Sequence, residues 1–128
     1  MAKILIADDE QDIRDLLTYT LRFAGHEVIV ASDGEEACQL ARQEQPALAL
    51  LDVRMPKMSG YEACRQLKAD PALKHIPIVF VSAWGQESEV KMGLAAGAVG
   101  YVVKPFDPAV IIQQVANLLA DKPKPRPR

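Results

Sequence analysis

Acidic residues follow two short apolar runs of this sequence directly. Asp8 and Asp9 come after KILIA, and Asp52 comes after ALALL. Carboxylates that converge repel one another and need a cation, and oxygen ligands without histidine or thiolate favour magnesium or a similar hard ion. A carboxylate can also act as a nucleophile and form an aspartyl phosphate. If the fold brings these acids together, they predict phosphoryl chemistry at a metal site.

Two further polar side chains follow apolar runs in the second half of the chain. Ser82 comes after IPIVFV, and Lys104, with Pro105 behind it, comes after GYVV. Lys104 would add a positive charge on a flexible stem, and Ser82 would add a hydroxyl. A metal ion, a lysine and a hydroxyl around one carboxylate form a site for a phosphoryl group.

Five apolar runs alternate with five segments of helical periodicity, and these elements must position the polar residues. The predicted strands are residues 3–7, 27–31, 47–51, 76–81 and 100–103. A last helix is predicted from Pro108, capped by Asp107. The fourth helix, at about residues 87–96, is predicted to be weak because Gly93 lies inside it.

Alternating strands and helices predict a parallel sheet with helices on both faces. An eight-unit barrel needs about 250 residues, so 128 residues leave an open, doubly wound, five-stranded α/β sheet. Ligands of such sheets bind beyond the carboxyl ends of the strands. The acids, Ser82 and Lys104 all follow predicted strands, and we therefore expect them to share one edge of the sheet.

The composition, with 49% hydrophobic and 25% charged residues, is that of one average globular domain. It excludes a disordered chain, a collagen-like fibre and a coiled coil. No apolar run approaches the roughly 20 residues of a membrane span, and the start lacks the pattern of a signal peptide. Two cysteines, Cys38 and Cys64, exclude a disulfide scaffold and are predicted to be small buried hydrophobes. A cytoplasmic location is expected.

Residues 121–128, DKPKPRPR, are predicted to be a Pro/Lys/Arg-rich tail or linker. They carry a balance of +3, so the net charge of −2 leaves −5 for residues 1–120. A mildly acidic domain argues against direct nucleic-acid binding. His26 and His75 lie in predicted loops and are expected to be solvated.

Four segments together resemble the receiver domain of two-component response regulators, of the chemotaxis-regulator-like kind. They are ILIADDE, LLDVRMPKMSGYE around Asp52, VFVSAW and AAGAVGYVVKPF. They occur in the family's order and at strand ends, and the resemblance spans about residues 3–120. It implies a receiver domain in residues 1–120 with a (βα)5 flavodoxin-like fold and strand order 2-1-3-4-5.

The resemblance implies a role for each polar residue at the strand ends. Asp52 would be the phosphoacceptor and a metal ligand. Asp9 would bind Mg²⁺ directly, Asp8 would bind it through water, and the backbone carbonyl of Arg54 would complete the protein ligands. Lys104 would bind the phosphoryl group.

A second set of implied roles concerns switching. Ser82 would be the hydroxyl that moves onto the phosphoryl group, and Tyr101 would be the aromatic side chain that turns inward behind it. Lys104 and Pro105 would be joined by a cis peptide bond. Taken alone, Ser82 is also compatible with ordinary loop chemistry, and Tyr101 with a half-buried strand aromatic.

The resemblance also implies partners. The phosphoryl donor would be a histidine kinase or phosphotransfer protein, and acetyl phosphate could also serve. An output domain or target protein would bind the face formed by the fourth helix, fifth strand and fifth helix. Dimerisation linked to phosphorylation is compatible with the resemblance. No membrane contact is expected. The domain would catalyse its own phosphorylation, with its own dephosphorylation left open, and would not be a turnover enzyme.

Three positions depart from the usual family pattern. Ser59-Gly60 stands where an Asp-Gly pair is common, and Arg54 and Trp84 occupy the positions two after Asp52 and Ser82. We hypothesise that Arg54 stacks on Trp84 and partly covers the phosphoryl group, which would slow hydrolysis. The alternative is that they are unrelated surface side chains.

Other functions fit these residues less well. A receiver-like interaction module that is never phosphorylated is the main alternative. A phosphohydrolase would need a nucleophilic Asp after the first strand with a second Asp two residues on, which Asp8-Asp9-Glu10 does not provide. A flavin-binding electron carrier of similar topology is also disfavoured, because Asp8 and Asp9 would repel the phosphate of the flavin. Alone, the same pair could simply cap the first helix.

Overall fold

Five strands and five helices alternate along the chain in this computed structural model, which describes residues 2–120. The strands are β1 (Lys3–Ala7), β2 (Glu27–Ala31), β3 (Leu48–Leu51), β4 (Ile78–Ser82) and β5 (Gly100–Val103). The helices are α1 (Gln11–Phe23), α2 (Gly34–Glu44), α3 (Gly60–Ala69), α4 (Glu87–Ala95) and α5 (Pro108–Ala120). The tail predicted at residues 121–128 lies outside the described residues.

The strands form one parallel sheet in the order β2-β1-β3-β4-β5, which confirms the predicted fold class and strand order. The chain moves from β1 to one edge and then returns to the other side of β1. This change of direction leaves the carboxyl ends of β1 and β3 side by side, with Ala7 paired to Leu51. The residues that follow these two strands therefore begin as neighbours.

Each face of the sheet has its own hydrophobic core. On one face, α2 and α3 contribute small side chains such as Ala37, Cys38 and Cys64. On the other face, Leu17 from α1 and Ile111 from α5 pack against the strands. Both cysteines are buried and free, which confirms that they act as small apolar side chains. No helix within residues 2–120 is long and apolar enough to cross a membrane.

Strand β4 begins two residues later than predicted. Pro77 has no N–H to donate to a neighbouring strand, and the carbonyl of Ile76 accepts a hydrogen bond from Lys68 Nζ at 2.6 Å. The strand therefore starts at Ile78, and Ser82 is its last residue rather than the first residue beyond it.

Helix α4 packs on the sheet through a glycine. Gly93 is the buried residue among the nine described residues of α4, while Leu94 is 49% exposed. A Cβ atom at Gly93 would lie 2.9 Å from Phe80 and 3.1 Å from Tyr101. The glycine that weakens the helix is thus what allows the helix to approach these two rings.

The prediction that both histidines are solvated is wrong for His26. His75 is exposed, but His26 is half-buried directly before β2. Its Nδ1 is buried and has no hydrogen-bond partner within residues 2–120. Burial disfavours the charged imidazolium and lowers the pKa of His26.

Candidate functional site

Three carboxylates meet at the carboxyl edge of the sheet. Asp8 and Asp9 follow β1 and Asp52 follows β3, and each offers an oxygen within 4.8 Å of the others. Asp8 and Asp52 are buried, whereas Asp9 is exposed. The expected convergence of the three acids is thus confirmed. It results from the pairing of β1 with β3, in which the Asp52 nitrogen donates to the carbonyl oxygen of Ala7 at 2.9 Å.

Lys104 lies among these acids. Its Nζ is 2.8 Å from Asp8 Oδ2, 3.4 Å from Asp52 Oδ2 and 3.3 Å from Glu10 Oε1. The lysine side chain is only 10% exposed, so its charge is weakly screened by water. The peptide bond between Lys104 and Pro105 is cis, as the resemblance implies. Lys104 therefore acts as the shared cation of the site.

Burial sets the electrostatics of Asp52. Loss of water raises its pKa to about 6, and the charge of Asp8 acts in the same direction, while Lys104 and the Val53 N–H oppose the increase. Burial alone would lower the pKa of Lys104, but its hydrogen bond to Asp8 and the charges of Asp52 and Asp8 outweigh burial and raise it. At neutral pH the site thus pairs an ionised Asp52 with a protonated lysine.

Backbone groups fix the orientation of the two buried acids. The Val53 N–H donates to Asp52 Oδ1 at 2.8 Å, and the Glu10 N–H donates to Asp8 Oδ1 at 2.9 Å. In each carboxylate the second oxygen, Oδ2, faces Lys104. Asp8 therefore serves the local turn before α1 as well as the site, but it does not cap the helix, because the N-cap of α1 is Glu10 and no side chain caps it.

Asp9, Glu10 and Asp52 line a cavity of about 760 Å³. Residues from several strand-end loops line it, among them Asp9, Asp52, Arg54, Ser82 and Trp84. The donor set that faces a cation here consists of carboxylate oxygens, which suit a hard ion such as Mg²⁺. Such an ion would also offset the repulsion between Asp8 and Asp52, so the residues fit the implied metal.

The two residues predicted to switch both contact the loop after β4. Ser82 is buried, and its Oγ accepts a hydrogen bond from the Trp84 N–H at 3.0 Å. Tyr101 is half-buried, with its ring centroid 5.9 Å from that of Phe80. The Tyr101 hydroxyl donates to the carbonyl of Trp84. In this conformation both side chains are therefore tied to Trp84.

The predicted contact between Arg54 and Trp84 is confirmed. The guanidinium carbon of Arg54 lies 5.0 Å from the centroid of the Trp84 ring, within the range of a cation–π interaction. Both residues line the cavity beside Asp52. The pair joins the loop after β3 to the loop after β4 across the cavity.

The Ser59-Gly60 pair forms the turn that begins α3, as an Asp-Gly pair would. Ser59 caps α3, with its Oγ accepting from the Glu62 N–H at 3.2 Å. Gly60 donates its N–H to the carbonyl of Val53, and a Cβ atom there would lie 2.0 Å from the carbonyl oxygen of Asp52. Serine can therefore replace aspartate as the cap, but a side chain at Gly60 would displace the backbone at Asp52.

Three residues that contact the site were not singled out from the sequence. Glu10 is a third carboxylate for Lys104, and Arg14 donates from Nη1 to the Asp8 carbonyl at 2.7 Å. Tyr61 lines the cavity from α3. Glu10 directly follows Asp8 and Asp9, and this adjacency was the available signal. Arg14 and Tyr61 lie on helices, where no local pattern distinguishes them.

Comparisons with known proteins agree with this geometry. A family model described as the response regulator receiver domain matches residues 4–116. The probable transcriptional regulator ycf27 of Porphyra purpurea is 43% identical over 122 residues, which are 94% of this chain and 49% of that protein. The chain thus spans about half the length of this relative.

Solved structures share the fold. A response regulator structure from Chloroflexus aurantiacus J-10-fl is 37% identical, with a TM-score of 0.89, and the match covers 93% of this chain and 98% of that one. The receiver domain of the sensor histidine kinase PA1611 from Pseudomonas aeruginosa PAO1 is 26% identical, with a TM-score of 0.88 and coverage of 94% and 98%. That structure holds a magnesium ion coordinated in its active site cleft.

Proposed function

Because this chain belongs to the receiver-domain family of two-component response regulators, we propose that Asp52 is its phosphoacceptor and that the phosphoryl group switches its surface. One observation carries the proposal: the buried Asp52 directs one oxygen to a backbone N–H and the other to Lys104, beside two more carboxylates. A nucleophile, a cation and a metal-ligand set are thus held by rigid strand ends.

The transfer step follows from these contacts. Oδ2 of the ionised Asp52 attacks the phosphorus of a phosphohistidine, the phosphorus–nitrogen bond breaks, and the imidazole nitrogen keeps the electron pair. Val53 holds Oδ1 and so limits rotation of the carboxylate. Lys104, which forms ion pairs with Asp8 and Glu10 in this structure, neutralises the negative charge of the phosphoryl oxygens.

Asp8, Asp9 and Asp52 would hold Mg²⁺, with the backbone carbonyl of Arg54 as a further ligand. When bound, the ion supplies charge neutralisation for the phosphoryl group. After transfer, the new charge of roughly −2 draws the Ser82 hydroxyl away from the Trp84 N–H. Tyr101 then fills the space behind Ser82. Ser82 and Tyr101 are the switch residues of this proposal.

We propose that the output passes through the face formed by α4, β5 and α5. Large apolar side chains are exposed on these elements and on the turn between α4 and β5, namely Met92, Leu94, Val99, Val103 and Val110. An output domain or target protein would cover them, and the phosphoryl donor would be a histidine kinase or phosphotransfer protein. The domain would act in the cytoplasm, contact nucleic acid only through an output domain, and modify itself rather than turn over a substrate.

The direct test is the mass of the intact protein after incubation with acetyl phosphate. We expect one added phosphoryl group in the presence of Mg²⁺ and none when the metal is chelated. Reduction of the acyl phosphate with borohydride and peptide mapping should place the label on Asp52. If no group is added, while a panel of phosphorylated histidine kinases also fails to transfer one, the chain is a receiver-like interaction module instead.

Removal of the Trp84 ring is expected to shorten the life of the phosphorylated state. The Arg54–Trp84 pair lines the cavity that holds Asp52, and our hypothesis is that the pair excludes hydrolytic water from it. A cation–π contact worth about 0.5–1 kcal/mol corresponds to roughly two- to fivefold faster decay in Trp84→Ala. Intact mass followed over time after acetyl phosphate is removed measures this decay.

The exposed Tyr19 on α1 provides a matched control for this comparison. Tyr19→Ala also removes an aromatic ring from the surface, but Tyr19 is not among the residues that line the cavity. Its phosphorylated form should decay at the wild-type rate. Equal half-lives of Trp84→Ala and wild type would show that Arg54 and Trp84 are unrelated surface side chains.

A further inference from the structure

Three hydrogen bonds hold Asp8 in place in addition to its ion pair with Lys104. The Asp8 N–H donates to the carbonyl of Ala31, the last residue of β2, at 3.2 Å, and Asp8 Oδ1 accepts from the Glu10 N–H at 2.9 Å. The carbonyl of Asp8 accepts from Nη1 of Arg14 at 2.7 Å. A side chain of the first helix therefore holds the peptide that joins Asp8 to Asp9.

Arg14 supplies what the backbone of α1 does not supply to this carbonyl. The N-cap of α1 is Glu10, and the helical hydrogen bonds begin with the Arg14 N–H, which donates to the carbonyl of Glu10 at 3.1 Å. The Asp8 carbonyl lies outside this ladder, yet Asp8 is only 1% exposed. A buried carbonyl without a partner is costly, so the guanidinium stabilises this orientation of the peptide.

The position of Asp9 depends on the same peptide. Lys104 forms ion pairs with Asp8, Glu10 and Asp52 but not with Asp9 in the part of the chain that the structure describes. Asp9 is exposed, and nevertheless one of its carboxylate oxygens lies within 4.8 Å of an oxygen of each of the two buried acids. The backbone before Asp9 therefore brings its carboxylate to the other two.

We propose that Arg14 is a positioning residue, whose guanidinium holds the Asp8 carbonyl and thereby sets the backbone from which Asp9 reaches a metal ion. This rests on the proposed function, in which Asp8, Asp9 and Asp52 hold Mg²⁺. Groups that hydrogen-bond behind metal ligands orient those ligands and raise the affinity for the metal. Arg14 acts in this way through the main chain rather than through a ligand side chain.

The charge of Arg14 has the opposite effect on a metal ion. A guanidinium stays protonated in proteins, and its positive charge repels a nearby divalent cation. Removal of the charge alone would therefore tighten Mg²⁺ binding, whereas removal of the positioning contact weakens it. The sign of the change in affinity separates the two effects.

Arg14→Met removes both the donor and the charge and keeps an apolar stem on the helix. We expect this variant to bind Mg²⁺ roughly two- to tenfold more weakly than wild type, the effect of one net hydrogen bond. The titration can follow the fluorescence of Trp84, the one tryptophan in the sequence, which lines the same cavity as Asp9 and Asp52. The increase in Tm on addition of Mg²⁺ gives a second measure of the same affinity.

Two further variants complete the experiment. Arg14→Gln has a shorter side chain without charge, so it should repeat the loss of affinity, and it decides the question if Arg14→Met does not fold. Arg22→Met removes an exposed arginine from the last turn of α1 and should bind Mg²⁺ as wild type does. Urea unfolding without metal measures any loss of stability separately from the loss of Mg²⁺ affinity.

The outcomes separate this inference from the function on which it rests. If wild-type protein binds no Mg²⁺, the proposed function is wrong and the inference is lost with it. If wild type binds Mg²⁺ but the folded Arg14 variants bind it equally or more tightly, the inference alone is overturned, even where their stability is lower. An equal loss of affinity in Arg22→Met would also overturn it, since the effect would then not depend on the Asp8 carbonyl.

Discussion

Asp52→Asn is expected to accept no phosphoryl group and, at pH 7, to be more stable than wild type by about 1–3 kcal/mol. The first result follows because an amide oxygen is a poor nucleophile and leaves no carboxylate to form an acyl phosphate. The second follows because the substitution removes a buried charge that lies close to Asp8. Loss of function and gain of stability should thus come from one atom change.

The pH dependence of this gain follows from the direction of the pKa shift. Asp52 titrates near 3.8 when unfolded and at about 6 in the folded protein. Between these values the folded state binds more protons than the unfolded state, so the ionised carboxylate destabilises the fold above pH 6. The advantage of Asp52→Asn should be largest at pH 7 or above and should disappear as the pH falls towards 4.

The size of the gain is limited by the new amide. Its oxygen can still accept from the Val53 N–H, but its NH₂ group then faces Lys104 Nζ, 3.4 Å from the present Oδ2. Two donors now face each other, which offsets part of the relief. Urea unfolding from pH 4 to 8 measures the difference in the free energy of unfolding between variant and wild type.

Asp12→Asn serves as the control, because Asp12 is exposed in the first turn of α1. This variant should remain phosphorylatable and should show no comparable gain in stability. If Asp52→Asn were less stable than wild type at pH 7, the burial and repulsion assigned to Asp52 would be wrong. A phosphoryl group on Asp52→Asn would identify a different acceptor.

The sequence alone was sufficient to predict which residues after the strands come together at the site. Apolar runs predict buried parallel strands, and polar residues that follow such strands must meet at one edge of the sheet. Asp8, Asp52 and Lys104 could therefore be placed together although Lys104 lies 96 residues from Asp8 in the chain. This inference needs only strand order and direction, which the alternation of elements largely determines.

Contacts between helices could not be predicted in the same way. The hydrogen bond from the Tyr61 hydroxyl to the carbonyl of Glu89 depends on the distance between α3 and α4, and Gly93 sets how closely α4 approaches the sheet. The pattern of α4 alone suggested only a weak helix. The half-burial of His26 likewise depends on packing after α1 and not on the polarity of the loop.

Lys104→Met is expected to destabilise the protein by about 3–5 kcal/mol at pH 7, the usual cost of leaving buried charges without a partner. Lys104 lies within 3.4 Å of Asp8 and Asp52, and the side chains of both acids are at most 9% exposed. Methionine matches the length and apolar stem of lysine, so packing should change little. The variant should also lose most phosphorylation by acetyl phosphate, because the cation for the phosphoryl oxygens is gone.

Lys91→Met separates this effect from the general loss of a lysine. Lys91 is 74% exposed and lies 3.7 Å from Glu87 in an i,i+4 pair. Exposed pairs contribute about 0–1 kcal/mol, so Lys91→Met should stay close to wild type in stability and should be phosphorylated normally. Similar stability losses in the two variants would contradict a central electrostatic role for Lys104.

The loss in Lys104→Met should also depend on pH and on Asp8. As the pH falls through about 6, Asp52 takes up a proton, the uncompensated charge decreases, and the deficit relative to wild type should shrink. Adding Asp8→Asn to Lys104→Met should recover part of the stability, so the double variant should lose less than the sum of the single variants. Additive losses of stability at every pH would mean that Lys104 acts through packing. Recovery of stability in the double variant would instead show that Lys104 holds mutually repelling acids together until a metal ion and a phosphoryl group bind.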